Sequence, residues 1–164
     1  VGGNQTSGVT VNAESTVHQG IEAAVTVQPL HWATLRVNGL YNDFALDDDA
    51  SFGNNRLPGV PKLLLRSEWR ADIGSQFLAL TTETASKVFI DYANSFSAGS
   101  YSIFGLKAGG ALLPTLSWFA EARNLADEKY ASSSGVIRNA MGTDQTQFLP
   151  GEGRSVYAGL AWTP

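Results

Sequence analysis

The chain has 164 residues and carries 11 Lys and Arg against 15 Asp and Glu, a net charge of −4, which leaves a nucleic-acid role without an electrostatic basis. No cysteine is present, so disulfide frameworks, thiol catalysis and Cys-based metal sites are excluded together. No run of about 18 apolar residues offers a transmembrane helix, and a near-neutral mean hydropathy fits a soluble chain or a membrane β-barrel, in which lipid-facing and lumen-facing residues alternate and cancel.

Residues 1–13 are rich in Gly, Asn and Ser and read as the end of a loop. With Val1 first and no signal peptide, the N-terminus reads as not the natural one. From Thr16 the residues alternate, with Val17, Ile21, Ala23, Val25 and Val27 opposed to His18, Gly20, Glu22, Thr26 and Gln28. That period of two is the pleat of a strand with one oily side. After a short turn at 29–33, a second strand over 34–46 opposes Leu35, Val37, Gly39 and Tyr41 to Arg36, Asn38 and Asn42. A long polar loop, 47–61, follows. The third strand, 62–72, has the cleanest pattern: Leu63, Leu65, Trp69 and Ala71 against Arg66, Glu68, Arg70 and Asp72. A turn at 73–75 leads to a fourth strand over roughly 76–90, whose alternation is blurred by threonines, and a loop at 91–100. The fifth strand, 101–112, aligns Phe104, Leu106 and Ala108. The sixth, from 116 towards 130, opposes Leu116, Trp118, Ala120 and Ala122 to Ser117, Glu121 and Arg123, with Phe119 an apolar intruder. After the longest loop, 131–153, the seventh sets Val156, Ala158, Leu160 and Trp162 against Ser155, Tyr157, Gly159 and Ala161.

Strands of roughly 10 to 14 residues exceed the usual soluble length of about 5 to 6 and are long enough to cross a bilayer when tilted. The connections alternate between short and long, as they do when short turns lie on one rim of an outer-membrane barrel and long loops on the other. A soluble sandwich has no reason for that alternation. Seven strands is an odd count, and a chain ending on the short-turn rim would begin on the outer rim. Both point to a piece of a larger barrel, with two open edges that lipid cannot satisfy.

Several motifs carry a resemblance. Arg123-Asn-Leu-Ala-Asp-Glu-Lys-Tyr130, followed by Pro150-Gly-Glu-Gly-Arg-Ser-Val-Tyr-Ala-Gly-Leu160, resembles the C-terminal end of a TonB-dependent outer-membrane receptor. Asn12-Ala-Glu-Ser-Thr-Val-His-Gln-Gly-Ile-Glu22, Leu57-Pro-Gly-Val-Pro61 and Asp91-Tyr-Ala-Asn94 are similar to further motifs of that family, in its order and spacing. The motif positions are Gly20, Glu22, Pro58, Pro61, Asp91, Asn94, Arg123, Asn124, Leu125, Asp127, Tyr130, Pro150, Gly151, Gly153 and Arg154. The resemblance implies an all-β fold, the seven C-terminal strands of a plugged, roughly 22-stranded antiparallel transmembrane barrel, with the plug and earlier strands absent. It also implies TonB-coupled import of a scarce ligand, with an iron–siderophore complex foremost. The implied partners are the TonB–ExbB–ExbD complex acting through the plug, the ligand, outer-membrane lipid and the barrel assembly machinery of a Gram-negative bacterium. Leu160 and Trp162 keep the apolar positions of the terminal assembly signal, and Pro164 stands where the family usually ends in Phe.

Other constellations have a plainer meaning. Asp43, Asp47, Asp48 and Asp49 lack the spacing of a calcium loop and read as a solvated acidic segment. His18 and His31, the only histidines, fall at opposite rims and support no shared metal. His18, Glu22, Arg36, Arg66, Glu68, Arg70, Glu121 and Arg123 are the lumen-facing candidates, read as a network of cross-strand pairs or a ligand path. Trp32, Trp69, Trp118, Trp162 and Tyr41 read as girdle residues at strand ends, and Tyr157 as girdle or lumen filler. No nucleophile elbow, His-Glu-x-x-His run or phosphate-cradling loop is present, so the chain reads as a non-enzyme with no cofactor. A passive porin or adhesin barrel and a soluble β-sandwich binding module are the alternative readings.

Overall fold

A computed structural model describes residues 15–139 and 148–163. Its centre is one seven-stranded sheet whose strands are neighbours in chain order. β1 (Thr16–Leu30), β2 (Ala33–Leu46), β3 (Leu63–Ile73) and β4 (Gln76–Ala85) are followed by two short strands, β5 (Val88–Phe89) and β6 (Ser97–Ala98). The sheet continues through β7 (Tyr101–Leu113) and β8 (Leu116–Arg123), passes a second short pair, β9 (Ala131–Ser134) and β10 (Phe148–Pro150), and ends at β11 (Ser155–Trp162). All pairings within it are antiparallel. The short turns at 31–32, 74–75 and 114–115 therefore share one end, and the long connections 47–62, 86–100 and 124–154 share the other.

The register explains why the two faces differ. Val27, Leu35, Trp69, Leu80, Leu106, Ala122 and Val156 lie opposite one another in a row running across the whole sheet. This face is open: Ile21 is 69% exposed, Trp69 56% and Leu160 69%. The largest fully buried side chains, Ile90, Asp91 and Asn124, lie in the long connections. Burial is thus concentrated at one rim, while the sheet keeps its apolar face outward, the reverse of a soluble domain.

Two strands stop earlier than their sequence pattern suggests. β4 ends at Ala85 because Ser86 closes the ladder, its N–H donating to the Leu63 carbonyl (2.9 Å) and its hydroxyl accepting the Leu63 N–H (3.0 Å). β3 begins at Leu63, so the fourth strand has no neighbour beyond it and residues 88–89 pair with β6 instead. β8 ends at Arg123 because Asn124 takes a left-handed φ of 47°, which no strand continues through. The 91–100 and 131–153 segments are not plain loops, since β6, β9 and β10 lie in them.

Candidate functional site

The second face of the sheet carries the charges. Arg36 lies opposite Glu68, Arg66 opposite Glu83 and Lys107 opposite Glu121. Arg36 Nη1 meets Glu68 Oε1 at 2.8 Å, and Lys107 Nζ lies 3.8 Å from the other oxygen of Glu68. Arg66 Nε donates to Glu83 Oε2 at 2.6 Å, and the Tyr101 hydroxyl donates to Glu83 Oε1 at 2.8 Å. Arg123 holds Glu121 through Nε and Nη2 at 2.9 and 3.0 Å and reaches Glu152 at 3.6 Å. Arg70 holds Asp72 at 2.7 Å and lies 3.9 Å over the Phe77 ring. Each pair keeps solvent access, more at the basic side chain than at the carboxylate in all but the Arg70–Asp72 pair, so each contributes about 0–1 kcal/mol. What they produce is a polar cleft of about 370 Å³ whose charges are neutralised within the sheet.

Of the eight lumen-facing candidates, Arg36, Arg66, Glu68, Glu121 and Arg123 line that one cleft. Arg70 shares the polar face nearer the short turns and is absorbed by Asp72. His18 stacks on Phe44 with ring centroids 4.5 Å apart, and Glu22 lies opposite Leu40 on edge strand β1. Neither lines the cleft. Glu83 and Lys107 do, although sequence reasoning missed both. Lys107 was recoverable, because alignment of Phe104, Leu106 and Ala108 on one face puts it on the other. Glu83 lay hidden among Thr81, Thr82 and Thr84.

Apart from Gly20 and Glu22, which lie inside β1, the motif positions collect at the rim. Asn124, almost fully buried, accepts the Glu128 N–H (2.8 Å) and donates to the carbonyls of Glu128 and Glu152, both at 2.9 Å. It therefore replaces a missing stretch of backbone pairing, tying the exit of β8 to the approach of β11. Leu125 donates its N–H to the Phe104 carbonyl (2.9 Å). Asp127 accepts the Arg154 N–H at 3.1 Å and the Lys129 ammonium at 3.0 Å. These donors, Lys129 first, hold its carboxyl below the usual carboxylate range. The Tyr157 hydroxyl, donating to Glu152, does the same for that carboxyl, helped by Ser155 and the Arg123 charge. Tyr130 packs on Tyr101 at 4.4 Å, and a Cβ on Gly151 would fall 2.2 Å from the Tyr130 ring, which is why only glycine fits there. Pro150 pairs with Ala131, and Gly153 sits beside the Asp127 carboxylate.

A second tie joins the other connections. Asn94, at φ 54°, accepts the Arg56 N–H (2.9 Å) and donates to the carbonyls of Arg56 (2.9 Å) and Asp91 (3.1 Å). Asn55 donates to the Tyr92 carbonyl at 2.9 Å, and the Ile137 N–H donates to the Ile90 carbonyl at 2.9 Å. Asp91, wholly buried, accepts the Ser95 hydroxyl (2.5 Å) and the Phe96 N–H (3.1 Å). Pro58 is buried in this bracket, and the Pro61 carbonyl accepts the Asn42 amide at 3.1 Å. Gly20 lies on the polar face, where a Cβ would meet the Tyr41 carbonyl at 2.6 Å.

The acidic segment is turn-forming, with the Asp49 carboxylate accepting the N–H groups of Ser51 and Phe52 (2.8 and 2.9 Å). The aromatic residues do not all lie at strand ends. Trp32 is in a short turn and Trp162 ends β11, but Trp69 is well inside β3 and Tyr41 inside β2. Tyr157 faces the polar side, opposite Glu121. Trp118 donates its indole N–H to Gln76 (2.7 Å) beside the short turns. Leu160 and Trp162 lie on the open apolar face, opposite Trp118 and Leu116. Asn12 and Pro164 lie outside the described residues.

Comparison with known proteins gives these features a setting. The family model described as TonB dependent receptor-like, beta-barrel matches residues 1–125. The siderophore receptor PiuA from Acinetobacter baumannii superposes with a TM-score of 0.75 at 18% identity, over 89% of this chain and 22% of its own. The unliganded ferric citrate transporter FecA gives 0.76 at 17% identity, over 89% and 24%. The copper transporter OprC gives 0.70 at 16%, over 90% and 23%. The chain thus spans less than a quarter of each of these structures, and at such identity the likeness is one of fold. No curated protein sequence matches significantly.

Proposed function

The chain belongs to the TonB-dependent receptor-like β-barrel family, and from that premise we propose that it forms seven consecutive wall strands of a larger outer-membrane barrel importing an iron chelate by TonB-coupled transport. The observation that carries this reading is the two-sided sheet. One face is a continuous exposed apolar surface fit for lipid, and the other is a polar surface of internally paired charges. A soluble sandwich would cover the apolar face with a second sheet. Among the described residues, the only other sheets are the two small pairs in the long connections.

On this reading the polar face borders the lumen, and the three long connections form the outer rim where ligand is met. A plug domain, the TonB–ExbB–ExbD complex and the assembly machinery belong to the same reading. Iron is favoured as cargo because two of the three structures described above are named for a siderophore and for ferric citrate. OprC, named for copper, carries the same wall, so the wall alone does not set the metal.

The test is uptake of radiolabelled iron by an iron-starved host expressing the intact receptor, with and without functional TonB. Uptake that needs TonB is the expected result. Equal uptake in both hosts would make the barrel a passive porin, and no uptake of any chelate would overturn the transport reading.

A further inference from the structure

We infer that the three long connections of the rim open and close as one body at their bases, so that loosening any one of them loosens the other two. The inference goes beyond the transport reading and does not depend on what passes through the barrel. It rests on a closed ring of joints among residues 52–59 of the first connection, 89–96 of the second and 136–138 of the third.

The first and second connections are joined through backbone and amide groups. The Gly59 N–H donates to the Phe89 carbonyl at 2.8 Å, Asn94 bonds both backbone groups of Arg56, and Asn55 reaches the Tyr92 carbonyl. The second and third are joined by a parallel bridge between Asp91 and Ile137. In it the Ile137 N–H donates to the Ile90 carbonyl at 2.9 Å and the Tyr92 N–H to the Ile137 carbonyl at 3.4 Å. The third returns to the first by side-chain packing. A Cβ on Gly59, at φ 82°, would fall 2.9 Å from Val136 Cγ2. The Arg138 guanidinium lies 5.9 Å from the centre of the Phe52 ring, which itself stacks on Tyr92 at 6.1 Å.

Closure of the ring is what makes it one body. Loops joined in an open series can be freed one at a time, whereas here each connection is held by both of the others, and no single one swings away without breaking two joints. The hub is Ile90, whose side chain is wholly buried and whose N–H donates to the Phe96 carbonyl at 3.2 Å. Beside it the buried Asp91 carboxylate holds the Ser95 hydroxyl and the Phe96 N–H. Parting any joint brings water to this shared apolar and polar centre, a cost borne by all three connections together. Segments that share a buried centre in this way open as a cooperative unit.

Asn94 touches the first and second connections only, so its loss tests the ring through the third. The experiment is hydrogen exchange with mass spectrometry on the intact detergent-solubilised receptor, read at the peptides carrying Gly59 and Ile137. In the wild type both amides should show the same protection. Asn94→Ala should lower protection about tenfold at Ile137 as well as at Gly59, with the amides of β3 and β7 unchanged. Arg138→Ala removes an exposed side chain and none of the hydrogen bonds of the ring. It should lower protection at Gly59 about twofold, and it is the readout if Asn94→Ala fails to assemble. A loss in Asn94→Ala confined to the first two connections, with Ile137 unchanged, would overturn the inference and make the three connections independent loops. A loss of equal size in β3 and β7 would overturn it too, since the rim would then have no opening of its own.

Discussion

The wall and the rim of this chain are held together in opposite ways. In the wall, backbone ladders join all seven strands, with register shifts only beside the short turns, and the apolar face is largely exposed while the polar face is mostly half-buried. Charges there meet their opposites in water-accessible pairs that add little stability. At the rim the seven-stranded ladder gives way to two short strand pairs, and single asparagine side chains tie the connections together, each donating and accepting as a peptide unit would. The wall therefore tolerates the loss of any one charged pair, whereas the rim depends on a few side chains.

The largest effect should come from removing one of those few. Asn124→Ala would leave the Glu128 N–H and the carbonyls of Glu128 and Glu152 without their partner and place alanine at a left-handed φ. A loss of about 3 kcal/mol is expected, read as a lower urea midpoint for unfolding of the detergent-solubilised receptor. Arg36→Ala, which breaks an exposed wall pair, should cost less than about 1 kcal/mol in the same assay. Comparable losses would erase the distinction between the regions.

A smaller effect separates the two faces of the wall. Trp69 lies on the open apolar face between Leu35 and Leu80, well inside its strand. Trp69→Arg should cost about 2 kcal/mol, since arginine on a lipid-facing strand is penalised by up to about 2–4 kcal/mol at the bilayer midplane. Arg70→Ala, one residue on and facing the other way, should disturb membrane assembly less. The check is the fraction of receptor that reaches the heat-modifiable folded form on gels. Equal assembly of the two variants would mean that the faces are wrongly assigned.

That contrast also explains what could be read from the sequence. The wall was legible because its period of two repeats: the pattern of Leu63, Leu65, Trp69 and Ala71 against Arg66, Glu68 and Arg70 survives in the structure as two faces. Five of the eight candidates meet in one cleft for the same reason, since residues two apart share a face and neighbouring strands align them. Glu83 escaped notice because threonine suits either face of a strand. The rim was not legible in this way. Asn94 and Asn124 were visible as motif positions by resemblance alone, because one amide that substitutes for backbone pairing leaves no period. The early end of β4 is likewise a partner effect: nothing in residues 86–90 forbids a strand, but β3 starts too late to pair with them.

The smallest expected effect is on pH, and it tests whether the rim is held by amides or by charge. Asp127 and Glu152 both have carboxyls depressed from their ordinary values of 3.8 and 4.5 by partners present in the folded corner. A depressed folded value means that the stabilisation is complete above the ordinary range and disappears as the pH falls through the folded one. From neutral pH to about 5 the corner should therefore be insensitive to pH, and below about 4 the contribution of these two groups should fade. Asp127→Asn keeps an acceptor for the Arg154 N–H and loses the Lys129 pair. Its unfolding midpoint should lie slightly below that of the wild type at pH 7 and approach it at pH 3, below the ordinary value of 3.8. Because Asn124 carries no charge, the larger loss in Asn124→Ala should persist at both pH values. If the Asn124 effect also vanished in acid, the corner would be electrostatic in origin, and the wall and the rim would differ only in exposure.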